Sequence, residues 1–294
     1  MFRLLMSLLS VGLTIATVAA QVVGDTKATA LLQQARAALG GDGRLAAVHA
    51  LSCSGTFTRE LDDRQLSGDL TIALEMPDKL LRTESMRPMG DFTIVSAVGL
   101  NGDALLRDQH AVNAPPGAMI RMPPPPTGDA EAQALRNARA DMARTVLAFL
   151  LTSTPSFPLE LSYAGEAEAA DGRADVIDAR GSGSFSVRLF LDRSTHRPLM
   201  LAYRGAAPQM RIVAQRGGPP AAGGQGDAGR GGIEPPTTPH IVDINLYLDD
   251  YKPVDGVWLP HHVSRSIDGK PAEEWTLSSF KVNPAFKPET FSTK

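Results

Sequence analysis

The chain has one cysteine in 294 residues, Cys53, so it can form no internal disulfide and its stability must come from packing. In a strand-like segment that thiol reads as a buried group without reactivity. Aromatic side chains are also scarce: two Trp and four Tyr are lean for a surface that stacks sugars. No sign of charge dominates, because 29 Lys and Arg stand against 32 Asp and Glu, for a net charge of −3. That balance provides no field for nucleic acid or for an anionic membrane surface, and no nucleic-acid partner is expected. P-loop, G-x-S-x-G and H-E-x-x-H motifs are absent. One G-x-G-x-x-G match, Gly224 to Gly229, lies in low-complexity sequence with no strand before it and no helix after it. It therefore cannot present amides to a pyrophosphate, and no cofactor is expected.

Long apolar runs are confined to the start. In MFRLLMSLLSVGLTIATVAA one cation, Arg3, precedes an apolar stretch that ends in Val18-Ala19-Ala20. This is the pattern of a secretory signal peptide cleaved after Ala20, and it predicts a periplasmic protein beginning at Gln21. The run is just long enough to span a bilayer, but Ser7, Ser10, Gly12, Thr14 and Thr17 dilute it. Residues 21–294 are expected to form a single domain with a substantial core.

Thr26 to Leu39 places Leu31, Leu32, Ala35 and Leu39 on one helical face, with Gly40-Gly41 as a stop. Period-two patterns follow over 51–60, 65–76, 79–86, 91–100 and 104–108, with a tight turn at Asn101-Gly102. Residues 111–128 are proline-rich and predict an extended loop. Asp129 is placed to cap a second helix that runs to about Leu151, with Leu135, Ala138, Met142, Val146, Phe149 and Leu150 as its apolar stripe. The strand pattern then resumes over 159–165, 174–180, 184–192, 198–204, 241–250, 258–267 and 273–282. Residues 216–239, rich in Gly and Pro, read as a disordered insertion between strands. Runs of strands without intervening helices predict an α+β fold: a mainly antiparallel sheet with helices covering one face.

Candidate chemistry is thin. His261 and His262 are adjacent, so on a strand they point to opposite faces and cannot share a metal without a bulge. Either could join His240 or Asp243 from a neighbouring strand, which keeps open an envelope hydrolase or metal-dependent enzyme using His240, His261 and His262. The pairs Asp62-Asp63, Asp249-Asp250 and Glu273-Glu274 meet the same geometric objection and read as solvated charges at strand ends. Arg82, among Leu80, Leu81 and Met86, reads as a surface salt-bridge residue; if buried, it requires Glu84 or a ligand anion. Leu70, Ile72 and Leu74 project to one side of their strand, opposite Phe92 and Ile94 on a nearby one, and with Arg82 these are the expected lining of a hydrophobic ligand cavity.

Several patches resemble the periplasmic outer-membrane lipoprotein carrier superfamily, the LolA/LolB-like proteins. Leu39-Gly40-Gly41 with Leu51-Ser52-Cys53-Ser54-Gly55 is similar to that family's opening, and Met76-Pro77-Asp78-Lys79-Leu80-Leu81-Arg82 to its proline, Asn/Asp, Lys, apolar, Arg motif. Leu189 to Pro198, Tyr251 to Pro260 and Val282 to Phe286 through Phe291 are similar to later segments. The resemblance implies a strongly bent antiparallel sheet, an incomplete β-barrel closed by helices, around a cavity that receives acyl chains. It implies a non-enzymatic carrier or binding protein for lipids, lipoproteins or another hydrophobic ligand, with a possible envelope protein partner. The segments 111–128 and 216–239 depart from the carriers proper and leave open a scaffold role in an envelope complex.

Overall fold

Alternating apolar and polar residues, interrupted by short turns, fold into one sheet of twelve antiparallel strands. The computed structural model describes residues 25–61, 64–89, 91–114, 126–169, 172–207 and 240–292. The segment 1–20 read above as a signal peptide, Asp62-Asp63 and the Gly/Pro-rich stretch 216–239 lie outside them, as does most of the proline-rich stretch. The strands are β1 (Ala50–Leu61), β2 (Arg64–Glu75), β3 (Lys79–Met89), β4 (Phe92–Asn101), β5 (Ala104–Val112), β6 (Glu160–Ala169), β7 (Gly172–Arg180), β8 (Ser186–Asp192), β9 (Pro198–Ala206), β10 (Ile241–Val254), β11 (Val257–Ile267) and β12 (Lys270–Val282). Their spatial order is β5-β4-β3-β2-β1-β12-β11-β10-β9-β8-β7-β6. The sheet is therefore open: β5 and β6 are its edges, and β1 closes the two halves by pairing with β12.

The tight hairpins follow from turn chemistry. Asp255-Gly256 and Asp268-Gly269 both hold two successive positive φ angles, 49° and 82°, then 48° and 77°, the conformation that matches the twist of flanking strands. At the β4–β5 turn Asn101 remains paired with Ala104, so the two-residue loop is Gly102-Asp103, one position later than the sequence suggests.

Two helices cover the inner face. In α1 (Thr26–Ala38) the Asp25 side chain accepts from the amides of Lys27 and Ala28, and its second oxygen accepts from Tyr163 N on the edge strand β6 (2.6 Å). A short α2 (Asp42–Ala46) follows. The long α3 (Asp129–Leu150) buries Met142, Val146, Leu147, Phe149 and Leu150 against the sheet. Asp129 is its first helical residue and not its cap; Gly128 holds the cap position at φ 59°, ψ −129°, where a side chain would be strained. Asp129 and Glu131 still favour the helix start through its dipole. At the other end Arg36 from α1 donates to the carbonyls of Leu150 (3.2 Å) and Leu151 (2.9 Å), so a cation covers the exposed acceptors of α3.

The loop expected over 111–128 begins later than predicted. Ala111 and Val112 still have amide donors and pair with Ile94 and Thr93, so β5 continues to Val112. The inner face of the sheet carries the main core, including Phe57, Leu70, Leu74, Ile177, Leu189, Leu201, Leu259 and Leu277. Each such side chain stabilises the fold by about 1.5–3 kcal/mol. A second, small cluster forms on the outer face, where a 3-10 turn (Pro288–Phe291) lays Phe291 and Phe286 over Ala73, Leu81 and Leu106.

Candidate functional site

The inward face is not filled everywhere. Between α3 and the curved sheet lies a cavity of about 360 Å³, walled by Ile72 of β2, Leu80 and Arg82 of β3, Val98 of β4, Leu105 and Arg107 of β5, and Tyr203, Leu246, Arg265 and Trp275 of β9 to β12. Ala134, Ala138, Arg144, Ala148 and Phe149 of α3 close it. Strands from both ends of the linear order meet this one space, which requires the sheet to be strongly bent. The volume falls within the range of small-molecule sites. Val98 points inward yet is 52% exposed, the largest exposure of any bulky apolar residue in the described structure.

The register places each expected lining residue. Ile72 and Arg82 are cross-strand partners and both face the cavity. Leu70 and Leu74 flank Ile72 on the same face but are sealed in the core. Phe92 and Ile94 are not opposite that row. Ile94 pairs with Met86, which pairs with Gly68, so they belong to the far end of the inner face and do not line the cavity. The cause is that β3 intervenes and its pairing fixes Leu100, Val98 and Ser96 as the β4 residues in line with Leu74, Ile72 and Leu70.

Two charge readings are corrected. Glu273 is not solvated but 2% exposed, whereas Glu274 beside it faces outward, as strand alternation requires. Arg82 is not a surface ion-pair residue. Its Nη2 donates to Glu273 Oε1 (2.6 Å) and lies 2.8 Å from Glu84 Oε1, while its guanidinium stacks on Trp275 at 4.6 Å. Arg59 Nη2 donates to the same Glu273 oxygen (2.6 Å) and to Glu84 Oε1 (2.9 Å), and Arg265 Nη2 is 2.7 Å from Glu273 Oε2. Burial alone would raise the Glu273 carboxyl; Arg82, Arg265 and Arg59 outweigh it and hold it at about 2. Across the cavity Arg144 pairs with Asp141 (2.7 Å) and stacks on the Tyr203 ring at 4.0 Å. Burial pushes the Tyr203 hydroxyl above its ordinary value, partly opposed by Arg144.

Sequence reading missed Arg59, Arg144, Tyr203, Arg265, Glu273 and Trp275. A signal was present: Arg265 shares the apolar phase of Val257, Leu259 and Val263, and Glu273 that of Trp275 and Leu277. A charge in the greasy register needs a partner or a ligand. The histidines are not gathered. His261 faces inward with its ring edge-on to Phe280 at 4.9 Å, and His262 faces the opposite side. His262 pairs with Asp249, nine positions and roughly 30 Å along β10 from His240. Cys53 is buried in β1, and burial pushes its thiol up to about 12.

Four guanidiniums, the Asp141 carboxylate and the Tyr203 phenol thus share the walls of a largely apolar space, and arginine forks suit anionic oxygens.

No family model matches the chain, and no curated protein matches it. Solved structures that it is similar to include a DUF1329 family protein from Desulfovibrio piger (9% identity, TM-score 0.47, covering 90% of this chain and 97% of that one). A LolA superfamily protein from Nitrosomonas europaea aligns at 8% identity and TM-score 0.46, over 90% of this chain and 97% of its own. A putative outer membrane lipoprotein-sorting protein domain from Vibrio parahaemolyticus aligns at 10% identity and TM-score 0.43, over 90% of this chain and 96% of its own.

Proposed function

We propose that this protein is an exported, periplasmic, non-enzymatic carrier or binding protein for a lipid, an acyl chain or a similar hydrophobic ligand, which it passes to or receives from another envelope component. The observation that carries the reading is the unfilled stretch of inner face around Val98, Ile72 and Phe149, a largely apolar recess of about 360 Å³. Burying roughly ten methylenes there would contribute on the order of 8 kcal/mol before ordering costs, enough for reversible retention without a covalent step. The sequence resemblance to lipoprotein carriers implies the same kind of ligand, and the reading of Met1 to Ala20 as a signal peptide places the protein where such ligands travel.

Titration with the neutral fluorophore 1-N-phenylnaphthylamine tests it. Saturable binding is expected, and Ile72→Glu should abolish it while the circular dichroism spectrum stays native. The new carboxylate would face Arg82, its cross-strand partner, at the wall of the recess and so would not be stranded in a sealed core. Global unfolding of Ile72→Glu, or undiminished binding by the folded variant, would remove the recess as the binding site.

A further inference from the structure

The recess is apolar along its wall but ringed by cations. Arg82, Arg107, Arg144 and Arg265 line it, and Arg59 lies behind them in the Glu273 network. Three carboxylates answer these five guanidiniums: Glu84 and Glu273 in the wall, and Asp141 beside Arg144. A local excess of two positive charges thus faces one cavity in a chain whose net charge is −3. Arg107, at the β5 edge, is exposed and makes no ion pair among the described residues.

Hydrogen-bond geometry points the same way. Arg82, Arg144 and Arg265 each retain a buried Nε–H, and Trp275 a buried Nε1–H, with no acceptor among the described residues. Buried donors are ordinarily satisfied, and every one of these four belongs to a side chain that lines the recess. Glu273 Oε1 and both Glu84 oxygens already accept from terminal guanidinium nitrogens, and Glu273 Oε2, 2.7 Å from Arg265 Nη2 but without a hydrogen bond, is one acceptor against four donors, so the remaining donors call for oxygens from elsewhere. A group with several acceptor oxygens and negative charge meets that requirement, and arginine forks suit phosphoryl oxygens in particular.

We infer that the ligand is an anionic amphiphile whose phosphoryl head group is held by Arg82, Arg144, Arg265 and Trp275 while its chains lie along Ile72, Val98 and Phe149. This deepens the carrier reading and rests on it. It turns a recess for any greasy molecule into one that selects lipids by head-group charge, with Arg107 drawing the anion in.

Matched monomeric probes separate the two ideas: dihexanoyl phosphatidic acid, dihexanoylglycerol and inorganic phosphate, each titrated calorimetrically into the full mature protein. Phosphatidic acid is expected to bind at least about tenfold more tightly than dihexanoylglycerol, the scale of one charge-assisted hydrogen bond. Its advantage should shrink with added salt, and phosphate alone should fail to displace it at equal concentration. In Arg107→Gln and Arg144→Gln, which leave the Glu273 network untouched, the ratio of the two affinities should fall toward one, and Arg144→Lys should restore part of it. Equal affinity for phosphatidic acid and dihexanoylglycerol would overturn the head-group inference and leave the carrier standing. Binding of neither lipid would overturn the carrier reading itself. Displacement by inorganic phosphate at equal concentration would reduce the site to one for a free anion and overturn the amphiphile.

Discussion

Replacing Glu273 by Gln removes one negative charge and almost no volume from a group on which three arginines converge at 2.6 to 2.7 Å. In the folded protein its carboxyl lies at about 2, against an ordinary 4.5. Each unit is worth about 1.4 kcal/mol, so the charged form contributes about 3 kcal/mol to folding, in line with the 3–5 kcal/mol lost when one partner of a buried pair is removed. For a chain of this length about 2 °C accompanies each kcal/mol, and Glu273→Gln should melt roughly 6–10 °C below wild type at pH 7. Because the folded carboxyl titrates below the unfolded one, its contribution is complete above about pH 4.5 and is lost as pH falls through about 2. The wild-type melting temperature should therefore drop across that window, and the variant's should drop less. Thermal unfolding followed by circular dichroism from pH 7 to pH 2.5 reads both effects, with Glu274→Gln, on the outer face of the same strand, as an unchanged control. A Glu273→Gln protein that melts within about 2 °C of wild type at pH 7 and keeps the same acid slope would refute the assignment of Glu273 as the anchor of the arginine wall.

Gly40→Ala should cost about 2 kcal/mol or more, read as a lowered melting temperature, because Gly40 sits at φ 123° and an added Cβ would lie 2.3 Å from the Gly256 carbonyl oxygen. Cys53 should resist iodoacetamide at pH 8 in the native protein and react fully in denaturant, since a thiol raised to about 12 is roughly one part in ten thousand thiolate at that pH; mass spectrometry of the treated protein reports the adduct.

The strand-and-helix plan was legible in the sequence because its signals are local. Period-two runs located every strand of the sheet, and the Asp-Gly pairs at 255–256 and 268–269 marked real hairpins. Residues Asp25 and Arg36 show where local reading ends. Their caps depend on Tyr163 and on the end of α3, more than a hundred positions away in the chain. The same holds for the candidate site. Ile72 and Arg82 were singled out from local cues, strand alternation and apolar neighbours, and their hairpin register brings them side by side on the cavity wall, whereas Glu273 meets Arg59 and Arg82 only once β1 pairs with β12. Phe92 and Ile94 were misplaced because register between β2 and β4 is transmitted through β3, and a shift of a few residues along β4 moves a side chain from the recess to its far rim.

Native mass spectrometry of freshly purified protein tests the carrier account most directly, alongside a variant in which Ala138→Trp fills the recess beneath α3. The account predicts that wild type carries a lipid-sized adduct that dissociates on activation, and that Ala138→Trp, folded by circular dichroism, carries little or none. A wild-type mass equal to the bare chain after gentle purification, or a stoichiometric metal ion in place of a lipid, would contradict it.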